Sequence, residues 1–91
     1  MARGRIRCTR AAPDTTANGI ILFGPDLNRL AVELLNVGTV DVYVGESGVA
    51  TTTGPPLFVG SQPLYVGCQD ELYGITTAGT GDVAITELLG R

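Results

Sequence analysis

Short apolar runs, each closed by glycine, proline or a small polar cluster, organise this chain. Ile20-Ile21-Leu22-Phe23 is one such run, ended by Gly24-Pro25-Asp26. Four apolar residues bounded by a turn signal suit a strand better than a helix. From Asn28 to Asn36, Leu30, Val32 and Leu34 alternate with Ala31, Glu33 and Leu35, the period of two that places one set on a core face. Leu, Ala and Glu also favour a helix, but the stretch is short and Asn36-Val37-Gly38-Thr39 follows as a turn. Val40, Val42 and Val44 are the next inward set. The pattern therefore predicts a hairpin around residues 36–39.

Further along, Leu57-Phe58-Val59-Gly60 and Leu64-Tyr65-Val66-Gly67 read as two brief strands around Ser61-Gln62-Pro63. Residues 46–56 are small and polar, and the tandem Pro55-Pro56 forbids a central strand there. Residues 71–76 form another strand, with residues 77–81 as its turn. The last runs from Asp82 to Leu88, with Val83 and Ile85 on the inner face. The shared aliphatic–aromatic–Val–Gly ending of three of these strands recurs at unequal spacing, so it marks strand ends and not a solenoid repeat. The expected fold is all-β: a small antiparallel β-sandwich or barrel of about 6–7 short strands. It occupies residues 19–91, preceded by a basic, extended N-terminal arm over residues 1–18.

Composition narrows the chemistry. The 91 residues are 44% hydrophobic but only 5% aromatic, so the core is aliphatic and thin; a chain of this size buries only roughly 60–65% of the surface exposed on unfolding. Thirteen Gly and five Pro punctuate it, and there is no His and no Lys. Histidine general-base, Ser-His-Asp and His-metal chemistry are thereby excluded. Gly45-Glu46-Ser47-Gly48 lacks the spacing of a nucleophile elbow. Gly79-Thr80-Gly81 lacks the third glycine and helix of a dinucleotide loop. Asp70 and Glu71, adjacent on a strand or loop edge, point apart. The chain is expected to be no enzyme and to need no cofactor or metal.

Charge is asymmetric. All six basic residues are Arg, and Arg3, Arg5, Arg7 and Arg10 fall within the first ten positions. Residues 1–12 carry no acid, whereas the rest holds all nine acids against Arg29 and Arg91. A basic segment ahead of an acidic body points to docking on an acidic surface. Nucleic acid is the weaker candidate, because four charges are few and the acidic body repels a duplex. Another protein subunit is favoured, with a tail packed on its own domain as the alternative. No apolar leader follows Met1, and no apolar run is long enough to span a membrane. Cys8 and Cys68 are accordingly read as thiols made in a reducing cytosol, with a bridge between them as the alternative.

From Asn28 to Glu87 the order of signals is more specific than any one of them. It runs PDLNR, a strand, NVGT, VYVG, a Thr-rich segment, Gly-Pro-Pro-Leu, an apolar pair with Gly60, LYGITTAGTGDVAI and a closing Glu. This order, over about 60 of the 91 residues, resembles the small β-rich virion structural proteins of tailed bacteriophages. The resemblance implies a structural role on the phage head surface. A capsid-decorating or cement protein is favoured, bound to the major capsid protein and to copies of itself as a trimer or dimer. Within that reading Arg3, Arg5, Ile6, Arg7 and Arg10 would pin the subunit to its partner. Deleting residues 2–12 would then abolish particle binding and leave the body folded. A head-fibre base, tail or connector component is the alternative position. A glycan-binding module is a third reading, and it needs Tyr43, Tyr65 and Tyr73 on one exposed face.

Overall fold

The computed structural model describes residues 5–67 and 69–90. They form eight strands and no helix: β1 (Arg5–Ala11), β2 (Ile20–Phe23), β3 (Arg29–Asn36), β4 (Val42–Gly45), β5 (Pro56–Leu57), β6 (Leu64–Val66), β7 (Leu72–Ile75) and β8 (Val83–Leu89). Two antiparallel four-stranded sheets, ordered β1-β8-β3-β6 and β2-β7-β4-β5, pack as a small sandwich. Leu22, Phe23, Val32, Leu34, Val42, Val44, Leu57, Val83 and Ile85 fill the space between them. The core is as aliphatic as the composition requires, with Phe23 its single aromatic residue.

Most strands expected from the pattern are present, but residues 57–60 are not one: β5 ends at Leu57, and Phe58 and Val59 are exposed in the turn that follows. The partners also differ. Residues 36–39 do not close a hairpin: β3 lies in the first sheet and β4 in the second. Buried Asn36 organises this corner. Its amide donates to the carbonyls of Val40 and Leu57, both at 2.8 Å, and its carbonyl accepts from the Gly38 amide at 3.0 Å. A side chain that satisfies three backbone groups stabilises a crossover where a tight turn was expected. The same alternation continues around the fold. Apart from β4 to β5, every connection carries the chain from one sheet to the other. Pro55-Pro56 is tolerated because β5 is a two-residue edge strand.

Two bulges change which residues face inward. A register shift between Arg29 and Ala31 turns Leu30 out to solvent, 59% exposed, and Arg29 inward. Leu30 was expected on the core face, and one extra residue in the ladder reverses the alternation there. In β2 the shift between Ile21 and Phe23 allows both Leu22 and Phe23 to be buried.

The largest correction concerns the basic segment. Residues 5–11 are not an arm outside the domain: they pair along their whole length with β8, Arg5 opposite Leu89 and Ala11 opposite Val83. Alternating residues on a seven-residue stretch permit a strand, and the Arg spacing masked that period because both faces of the edge strand are exposed. Residues 12–18 are also tied to the body. The Pro13 carbonyl accepts from Gly81 at 2.7 Å, and the Asp14 carbonyl accepts from Thr76 at 3.0 Å. Glycine is needed where the β4–β5 loop folds back against β4: a Cβ at Gly54 would lie 2.7 Å from the Val44 carbonyl oxygen.

Removal of residues 2–12 therefore takes out a whole strand of the first sheet and uncovers β8. The truncated chain is expected to melt at a clearly lower temperature than the full chain by circular dichroism, and an unchanged melting temperature would contradict the pairing of β1 with β8.

Candidate interaction surface

Strand alternation divides the β1 side chains between two environments. Arg5, Arg7 and Thr9 share the face of their β8 partners Leu89, Glu87 and Ile85, which points toward the second sheet. Ile6, Cys8 and Arg10 point the other way, beside Leu88, Thr86 and Ala84. The basic residues thus do not form one patch.

Arg7 and Arg10 find partners within the chain. Arg10 makes a two-pronged contact with Asp82, Nε to Oδ1 at 2.9 Å and Nη2 to Oδ2 at 2.8 Å. Arg7 donates to Glu87 and reaches Asp26 at 3.0 Å. The Asn28 amide, and then Arg7, hold the Asp26 carboxyl below the usual carboxylate range. The bond from Arg10 does the same for Asp82. Arg5 is exposed, with no ion pair to another described residue. Arg3 and Cys68 lie outside the described residues.

Behind Arg7 sits a buried pair that the sequence reading did not single out. Arg29 on β3 and Glu87 on β8 are 1% and 2% exposed, with Arg29 Nη2 3.0 Å and Nε 3.1 Å from Glu87 Oε1. Arg29 also donates to the carbonyls of Gly24 at 2.5 Å and Asp70 at 3.2 Å. Its guanidinium stacks 4.3 Å from the Phe23 ring centre. A planar cation with several donors can satisfy a carboxylate, two carbonyls and an aromatic face at once. The group therefore ties the first sheet to the end of β2 and to the segment before β7.

The outer face of the first sheet is different in character. Ile6, Leu88 and Ala31 form one cross-strand row. Cys8, Thr86, Glu33 and Tyr65 form the next. Ile6 is 70% and Tyr65 71% exposed. Together with Leu88, Ala31, Thr86 and Glu33 they line an open groove of about 310 Å³. Glu33 beside the Tyr65 hydroxyl pushes that phenol above its ordinary value. Uncovered Ile, Leu and Tyr on adjacent strands offer apolar area that a partner can bury, each full burial contributing about 1.5–3 kcal/mol. Of the residues expected to bind a partner, Ile6 lies on this groove. Leu88, Ala31 and Tyr65 join it only through strand pairing, which no local pattern announces.

Tyr43 and Tyr73, half-buried, belong to the second sheet and Tyr65 to the first, so the three do not make one aromatic platform. Among the described residues no three acidic or cysteine side chains converge as metal ligands, and no helix is long and apolar enough to cross a membrane.

Replacing Arg29 by Met leaves Glu87 buried with only the half-exposed Arg7 as counter-charge and frees two carbonyls. Breaking a buried pair from one side costs about 3–5 kcal/mol. Urea unfolding of Arg29→Met is expected to show a loss of that order, and adding Glu87→Met is expected to recover part of it. The surface pairs give a second, pH-dependent signature. A carboxyl whose pKa is depressed in the folded state adds stability above its unfolded value of about 3.9 and loses it as pH falls through the lower folded value. Stability measured from pH 6 downward should thus fall below about pH 4, and Asp82→Asn should flatten that acid limb.

Comparison with protein-family models, curated proteins and solved structures finds no match to this chain.

Proposed function

We propose that this chain is a non-enzymatic structural protein of a phage virion, a capsid decoration or cement protein that binds the major capsid protein and stabilises the head. The order of motifs from PDLNR to the closing Glu supports the virion class. The observation that carries the binding mode is the uncovered apolar row of Ile6, Leu88 and Ala31 on the outer face of the first sheet.

In this reading the capsid protein covers that groove. Ile6 and Leu88 supply most of the buried apolar area, and Tyr65 and Glu33 supply directional hydrogen bonds at its rim. Arg5, whose charge is not matched within the described residues, and Arg3 supply attraction to an acidic neighbour. Arg7 and Arg10 act differently: they fasten β1, and with it Ile6, onto the sheet through Glu87, Asp26 and Asp82. They are positioning residues, and their charges add little to the pull on a partner. On a symmetric shell a modest contact repeated at every equivalent position holds firmly through avidity, most of all if the subunits also contact one another.

The test is cosedimentation with heads of the phage that encodes the chain. The wild-type protein is expected to saturate the heads at a fixed ratio to the major capsid protein. Ile6→Asp with Leu88→Asp is expected to reduce bound protein more than tenfold, from the apolar area lost, while the melting temperature changes little. Saturation at a single ring per particle would assign a connector instead, and undiminished binding by the double variant would exclude this face.

A further inference from the structure

We propose that the free edge of β1 is a homodimerisation site, at which two copies pair antiparallel about a two-fold axis through Cys8 and join their first sheets into one eight-stranded sheet. β1 is the outermost strand of its sheet, seven residues long, with Arg5 through Arg10 all exposed. Among the described residues nothing pairs with its outer edge. A long unpaired edge presents a row of backbone donors and acceptors, and charged residues usually guard such an edge. Here two of the guarding side chains are drawn back onto their own chain, Arg7 to Glu87 and Asp26 and Arg10 to Asp82, so that neither projects freely over the edge.

Symmetry then selects the occupant and the register. In a two-fold antiparallel pair the residue on the axis faces itself, and residues equally far from it face each other. Like charges directly opposite destabilise such a pair. An axis at Ile6 sets Arg5 against Arg7, and an axis at Arg7 or Arg10 sets that arginine against itself. An axis at Thr9 uses only residues 7–11 and leaves Ile6 outside the ladder. An axis at Cys8 uses all seven residues and places no arginine opposite another. It sets Ile6 against Arg10, Arg7 against Thr9 and Arg5 against Ala11, with the small Cys8 side chain at the centre.

This register also keeps the two outer faces on the same side of the joined sheet, because partners across an antiparallel ladder share a face. The Ile6–Leu88 rows of both copies therefore lie on one continuous surface. The pairing belongs to the free protein and stands apart from the capsid reading. A dimer that fails to bind heads would overturn that reading alone, and a monomer that binds heads would overturn the pairing alone.

The experiment uses the full chain carrying Cys68→Ser, so that Cys8 is the one thiol. Analytical ultracentrifugation is expected to give twice the 9.4 kDa chain mass. Mild oxidation with copper–phenanthroline is expected to convert most of the protein to a covalent dimer. Moving the thiol one residue, with Cys8→Ser and Thr9→Cys together, should lower the cross-linked yield at least fivefold without dissociating the dimer. Cys8→Arg brings two arginines face to face on the axis and should raise the dimer dissociation constant about fivefold or more, with the melting temperature of the fold retained. Cys8→Ser alone should remain dimeric. A monomer at every concentration tested would overturn the proposal, as would a dimer that resists Cys8→Arg and does not cross-link through Cys8.

Discussion

The two sheets of this sandwich are joined at one end by a buried charge pair and the groups it holds. Arg29 leaves the first sheet, passes under Phe23, and ends on the Glu87 carboxylate and the carbonyls of Gly24 and Asp70. Taking these charges from water is expensive, and the expense is offset only when nearly every donor and lone pair is satisfied. That condition is met: among the described residues no buried side-chain polar atom lacks a partner. The pair therefore contributes alignment more than net stability. A one-residue slip of β3 against β8 would turn Arg29 outward and leave Glu87 buried with Arg7 as its one guanidinium.

The same constraint shapes the surface. Glu87 takes a second guanidinium from Arg7, so strand β1 is fastened to the interior through a charge that is itself buried. Arg10 repeats the fastening at the other end of the strand through Asp82. What remains for a partner on this side is mostly uncharged: the outer row around Ile6 and Leu88 and the backbone edge of β1. A segment that looks like a highly basic tail in the sequence is, in the fold, a strand whose Arg7 and Arg10 are paired and whose outward face carries Ile6.

The positions of β2, β3, β4, β7 and β8 could be read from the sequence because their core residues alternate or cluster between turn signals, as Val42 and Val44 or Val83 and Ile85 do. Pairing could not be read in this way. A corner such as residues 36–39 looks like a hairpin turn until Asn36 is seen to satisfy backbone groups on both sides of it. Bulges are equally silent, since Leu30 fits the period of two that the structure interrupts. One signal for the buried pair was present: Glu87 falls at the inward parity of Val83 and Ile85, and Arg29 lies within a strand of the acidic body. An ion at a core position needs a counter-ion, and few were available. Of the interaction surface, only Ile6 could be picked out in advance. Its neighbours come from strands distant in the chain.

Because β8 lies between β1 and β3, the order of synthesis places an unusual demand on folding. While the chain emerges, β1 and β3 are made before β8, the strand that joins one to the other. The first sheet gains the strand that joins β1 to β3 only after the whole stretch between β1 and β8 has been made, and such long-range pairing slows folding. Until then Ile6, Val32 and Leu34 lie on strands with bare edges, the state in which chains associate wrongly. A chain interrupted before Val83 would retain three of the four strands of that sheet, with β3 able to pair only with the short β6 and β1 with nothing in its sheet.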